Sequence, residues 1–325
     1  MHPSALLVMI PVAIAIGAAG VHGHPAAGTP AARFWEEALP GMPMPQPLAD
    51  LVQEGIDHSP LAENFSGPYL SIGMCLGHVY VSVCSVDRVR AAGTGLFFHE
   101  DQVRVGHTMT VSFSAAGVPA ILPRHAAETV PFGNLTAAAV LTRFGIAPGS
   151  AMAGQVTDTL RACQAPSHTG ERRHCAASLE DMVRAAMRTL GAEGAAARPG
   201  GVWVAASEVP RAGLPLQPYA VEAVTALGGD RHVACHDEPY PYAVFRCHRI
   251  GLSGTKAYVV SLRGLIRGGP AVTMAVICHL DTSGWNPAYP AFEMMGTKPG
   301  SPVCHFMPYA NLLFGKKVAD DVSTY

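Results

Sequence analysis

The sequence predicts an α+β fold, with mixed or mostly antiparallel sheets, a few short helices and a disulfide-stapled frame. Helical signatures come first and strand patterns dominate the second half, with no repeated βαβ alternation between them. The chain carries 34 Gly and 27 Pro in 325 residues, which favours a turn-rich fold over a helical bundle. Eight cysteines, an even number, follow an apolar leader that directs them to an oxidising compartment, where thiols pair.

The leader is "ALLVMIPVAIAIGAAG", residues 5–20, and makes residues 1–23 a secretory signal peptide. It is short for a bilayer span and no basic stop-transfer cluster follows, so no membrane contact is expected after its removal. Residues 24–93 form a variable N-terminal arm, Pro-rich at "LPGMPMPQPLADL", without tandem repeats and without a sustained helical or strand period before Cys75. Cys75 and Cys84 are expected to pair there. Asn64 in "NFS" and Asn134 in "NLT" are glycosylation sequons suited to a secreted chain.

The main domain is expected over residues 94–312, with a C-terminal tail over 313–325. In "GTGLFFHEDQVRVGHTMTVSF", apolar residues at Val103, Val105, Met109, Val111 and Phe113 alternate on either side of "VGH", which predicts two strands around a turn. "NLTAAAVLTRFG" predicts a short helix opened by Asn134 and closed by Gly145. In "SLEDMVRAAMRTLG", Ser178 and Asp181 have capping-box spacing, and Leu179, Met182, Val183, Ala186, Met187 and Leu190 share one helical face. Cys163 and Cys175 bracket a short loop just before that helix and predict a local disulfide. Beyond Gly191 the strand candidates are "GVWVAAS", "YPYAVFRC", "KAYVVSL", "AVTMAVIC" and "PVCHF".

Charge removes one class of function. Lys and Arg total 22 against 24 acidic residues, with no basic run, so nothing matches a nucleic-acid backbone.

A Cys-His doublet occurs four times, at Cys235-His236, Cys247-His248, Cys278-His279 and Cys304-His305. Adjacent residues on a strand face opposite ways. Cys247 therefore shares a side with Phe245 while His248 joins Val244 and Arg246; Cys278 sides with Val276 while His279 turns to the other surface. If the four segments are neighbours, the thiols can meet on one side as two disulfides and the imidazoles converge on the other. Intervals between doublets are far longer than the two to four residues of a structural zinc knuckle, and oxidised cysteines are not zinc ligands. What is left is an all-imidazole set that suits copper as well as zinc. The plainer alternative is four separate imidazoles, each bonded to backbone or water.

Single histidines at His99, His107, His125, His174 and His232 read as structural, with His174 and His232 next in rank because they lie near cysteines. Asp281, Trp285 and Asn286 follow the third doublet in "DTSGWNP" and predict a tight turn with a packed indole. Hydrolase triad motifs, Gly-rich phosphate loops and HExxH are absent.

The doublet spacing resembles that of the plant BURP-domain family. So do "FFHEDQVRVGHTM", "LPRHAAETVPF", "HCAASLEDMV", "YPYAVFRCH", "CHLDTSGWNPAYPAF" and "PGSPVCHF", which follow the family's order over residues 96–308. "FWEEALPGMPMPQPLADL" resembles the segment that many members carry after the signal. The resemblance implies a secreted protein of the apoplast or cell wall, with the vacuole as alternative, acting in reproductive or seed development or in stress responses. Partners would be cell-wall components or a peptide substrate. It also implies copper as cofactor, held by His236, His248, His279 and His305. Some members are autocatalytic, copper-dependent peptide cyclases that crosslink a Trp or Tyr of a core peptide. This chain departs from them in having no repeated core peptide in residues 24–93, and a catalytic residue is not assigned.

Overall fold

The computed structural model describes residues 26–52, 95–113, 118–129, 136–165, 172–192, 201–249, 254–266 and 269–316. The leader, Cys75, Cys84, Asn64 and Asn134 lie outside the described residues. Eleven strands form among them: β1 Phe97–Phe98, β2 Thr108–Phe113, β3 Arg172–Ala176, β4 Val202–Ala206, β5 Leu214–Leu227, β6 His232–Glu238, β7 Val244–Arg249, β8 Thr255–Gly264, β9 Ala271–His279, β10 Val303–Phe306 and β11 Leu312–Lys316. They make two sheets, a six-stranded one in the order β1-β10-β9-β8-β5-β2 and a five-stranded one in the order β3-β7-β6-β11-β4. Every paired neighbour is antiparallel, in line with the predicted class.

The helix Leu179–Leu190 forms as its sequence dictates. Ser178 Oγ accepts the Asp181 N–H, and Gly191 closes the helix at φ 63. All six residues of the predicted apolar face are buried, each large one contributing about 1.5–3 kcal/mol. That face covers the sheet at β6, β7 and β11.

Three expectations need correcting. The first alternating run, around Val103 and Val105, is not a strand: Glu100–Gln102 is a 3-10 turn whose Gln102 side chain accepts the His99 N–H, and Val105 is exposed. Local side-chain bonding there competes with strand formation. The short helix runs Ala137–Arg143, capped by Thr136 Oγ1 on the Ala139 N–H, so Thr136 takes the role expected of Asn134. Residues 26–52 are helical in two places, Pro30–Ala38 and Gln46–Leu51, despite the prolines; Pro sits in the first turn of each, where no N–H bond is lost.

This segment joins the main core. Trp35 is buried and its indole N–H donates to the Met42 carbonyl at 2.8 Å, while Phe34 lies under the Arg184 guanidinium, 4.9 Å from ring centroid. At the other end, β11 sits between β6 and β4, so the fold continues to Lys316, past residue 312. Gly315 is required there, since a Cβ would come within 2.1 Å of the Trp203 ring.

Between the sheets lies a thin apolar layer built from small residues. Trp203, Ala205, Ala234 and Leu313 from the five-stranded sheet meet Ala257, Ala275, Ile277 and Met307. Alanines let the two backbones approach, and this layer leads directly to the doublets: Ala234 precedes His236 by two positions, and Ala275 and Ile277 precede His279 on one face of β9.

Candidate metal centre

The doublets are two-sided, as alternation requires. Cys235 stands directly opposite Cys247 in the β6–β7 ladder, and Cys278 opposite Cys304 in the β9–β10 ladder. Both pairs are disulfides with Cα atoms 3.9 Å apart, buried in the main core. Each pairs two doublets of one sheet and fixes its ladder register at the histidine positions. Cys163–Cys175 is a third disulfide, as the short loop predicts.

The imidazoles face the other way and gather. Ring centroids lie 5.3 Å apart for His248 and His236, 5.7 Å for His236 and His305, and 5.6 Å for His305 and His279. The His236–His305 contact joins the two sheets. All four residues are only 4–6% exposed, so their rings are desolvated. His279 also abuts Trp285, centroids 5.0 Å apart, and Trp285 stacks edge-on with Tyr289 at 4.9 Å. The indole expected in the turn is thus packed, while Asp281 is exposed and accepts the Ser283 N–H.

Hydrogen bonds set two tautomers. Asn311 donates its amide to Asp237 Oδ1 and to the Tyr309 carbonyl at 3.2 Å, which turns its oxygen to His236 Nδ1 at 2.9 Å. His236 must therefore carry its proton on Nδ1, with the lone pair on Nε2. His305 Nδ1 faces the Phe306 carbonyl at 3.0 Å and is a donor for the same reason. A ring whose Nδ1–H is bonded to an oxygen and whose Nε2 is open to a cation is the arrangement that metal-ligating histidines use. Asn311 itself is held by a turn in which Ala310 adopts φ 62, a left-handed conformation that costs about 1–2 kcal/mol for a residue with a Cβ.

Electrostatics favour neutral rings. Burial lowers the His236 pKa to about 3, with His305 and Arg246 adding to the effect, and lowers His305 to about 4. His279 is held well below the ordinary histidine value by burial, then by His305, His236 and His232. His232 is the fifth member of the group: it is buried, its Nδ1 lies 2.6 Å from Thr255 Oγ1, and Thr255 stands opposite His279 in the β8–β9 ladder. Its own pKa falls to about 4 through burial. Ranked second from sequence, His232 was findable from "HVACH", where His232 and His236 are four apart on one strand face. His174 is elsewhere, half-exposed and 2.9 Å from Asp181.

Asn311 escaped sequence reasoning. Its signal was an amide alone in the apolar run "MPYANLLF", which predicts a buried polar group with a fixed partner. A buried ion pair was also missed: Glu238 and Arg246, 2.6 Å apart, lie on the His236 and His248 face of their strands.

Neutral imidazoles are cation donors by their chemistry, and two rings sharing an ion at metal–nitrogen bonds of about 2 Å have centroids no more than roughly 6.5 Å apart. Each adjacent pair meets that limit. The four form a row, however, and among the described residues no three of His, Cys, Asp or Glu are arranged as they stand to hold one ion. No described helix is long and apolar enough to cross a membrane.

The family model described as "BURP domain" matches residues 96–316. Protein RAFTIN 1A of Triticum aestivum is 47% identical over 233 residues, covering 70% of this chain and 57% of the relative. BURP domain-containing protein 13 of Oryza sativa subsp. japonica is 46% identical over 238 residues, covering 70% and 56%. In both cases the match spans little more than half of the relative. BURP domain-containing protein 5 of the same rice is 35% identical over 307 residues, covering 92% of this chain and 90% of the relative.

Proposed function

The chain belongs to the BURP-domain family, and from that premise we propose that it is a secreted plant protein of the apoplast or cell wall that carries a histidine-held copper ion. The observation that supports this reading is the row of four buried doublet imidazoles across the two sheets. His236, His248, His279 and His305 would hold the ion, which would supply one-electron redox chemistry when bound. The work of the chain's own residues follows from their geometry. Asn311 and the Phe306 carbonyl orient two rings with Nε2 available, the disulfides hold the ladders in register, and burial keeps the rings unprotonated in mildly acidic surroundings. The family points to roles in reproductive or seed development or in stress responses.

Metal analysis of the purified secreted protein tests the site, and intact-mass measurement tests what it does. The reading predicts copper retained through dialysis and lost in His236→Ala. A mass accounted for by disulfides alone counts against self-crosslinking, and action on another polypeptide is then tested with candidate peptides. A further loss of about two hydrogens, prevented by copper depletion, identifies self-crosslinking of an aromatic side chain. Protein that retains no copper after loading overturns the reading.

A further inference from the structure

At the edge of the five-stranded sheet, next to the doublet histidines in sequence but on the opposite face of their strands, two arginines stand opposite each other. Arg172 begins the edge strand β3 and stands directly opposite Arg249, the last residue of β7. Like charges at directly opposite positions destabilise an antiparallel pair. Arg231 lies one residue before β6, the strand paired with β7, and so brings a third cation close to Arg249. Asp230, which is 85% exposed, lies 3.6 Å from Arg231 Nε. Arg173, next along β3, donates instead to the Ala165 carbonyl.

The Arg249 guanidinium is further out of balance. Arg249 is only partly buried as a residue, but its Nε is buried and makes no hydrogen bond among the described residues, which leaves that donor unanswered there. Folded proteins seldom carry both defects at one position without an external acceptor. Planar guanidinium groups present forked N–H pairs that match carboxylate, phosphate and sulfate oxygens. Three strands at about 4.8 Å spacing spread the three arginines over roughly 10 Å, enough for one tetrahedral anion or two neighbouring carboxylates.

We propose that Arg172, Arg231 and Arg249 form an oxyanion-binding site at this sheet edge, separate from the histidine row. The ligand is an anion with fork-accepting oxygens, either a free phosphate or the carboxylates of an acidic sugar chain. Binding relieves the Arg172–Arg249 repulsion and satisfies the Arg249 donor.

Calorimetric titration of the full secreted chain at low salt, with inorganic phosphate in one arm and a uronic-acid trimer in the other, tests this. Expected is saturable binding that weakens at least tenfold in an Arg172→Gln/Arg231→Gln variant, whose two sites are exposed and whose folding is checked by melting. Trimer binding at least tenfold tighter than phosphate identifies the sugar chain as the source, and equal or weaker trimer binding identifies a small anion. In anion-free buffer Arg172→Glu should raise the melting temperature while abolishing binding, because it converts the repulsive pair into an ion pair. No saturable binding of either probe, or equal binding by wild type and the double Gln variant, overturns the proposal.

Discussion

His236 Nδ1 and the Asn311 side-chain oxygen lie 2.9 Å apart in a buried contact that spans 75 residues of sequence. Because the Asn311 amide is committed to Asp237 and the Tyr309 carbonyl, this contact decides which nitrogen of His236 carries the proton. Asn311→Leu leaves His236 and Asp237 each without that partner, at about 1–3 kcal/mol per orphaned group. The expected copper affinity falls about 10–100-fold, since outer partners orient ligating imidazoles. Asn311→Asp keeps an acceptor for His236 and should lose less affinity than Asn311→Leu. Equal affinity in all three proteins would remove Asn311 from the site. The readout is copper titration alongside thermal melting, which separates loss of the site from loss of the fold.

Acid stability has a defined sign. His232, His236, His279 and His305 are neutral in the folded chain and bind protons near pH 6.5 once unfolded, so their contribution is complete above pH 6.5 and lost as pH falls toward 4. Burial acts oppositely on carboxylates: Asp237 is pushed up to about 7 and Glu238 is raised, so both take up protons more readily when folded. Four imidazoles outnumber two carboxylates, so the metal-free protein should lose stability as the pH falls from roughly 6.5 to 4.5. Denaturant unfolding across this range checks the slope. Stability that is flat or rising on acidification would contradict the assignment of buried neutral rings.

Much of this arrangement was legible before any coordinates. Strict alternation within "VFRCH" and "AVICH" separates thiol from imidazole, and the capping residues Ser178 and Gly191 delimit their helix correctly. Helix Ala151–Gln164 and strand Leu214–Leu227 went unread. The first has only a shallow apolar face, and the second carries Pro215 and Pro218, which ordinarily argue against a strand. Which doublets pair was not legible either, because it depends on sheet order. Nor was Asn311, whose partners lie about 75 residues away.

The Glu238–Arg246 pair is buried beside His236, with Glu238 at 0% and Arg246 at 4% side-chain exposure. Breaking it from one side, by Glu238→Leu or Arg246→Met, should cost about 3–5 kcal/mol because the remaining group stays desolvated without its partner. The double variant Glu238→Leu/Arg246→Met should cost less than either single change. A double-mutant cycle in denaturant measures the coupling. Additive losses would show that the pair contributes no mutual stabilisation.

Electron paramagnetic resonance of the protein loaded with one equivalent of Cu(II) tests the histidine row most directly. The account predicts a single nitrogen-coordinated signal that survives dialysis near pH 5, and that changes in His236→Ala and in His305→Ala, one substitution in each sheet. A signal identical in wild type and both folded variants, or no copper beyond that held by an unrelated protein, would contradict it.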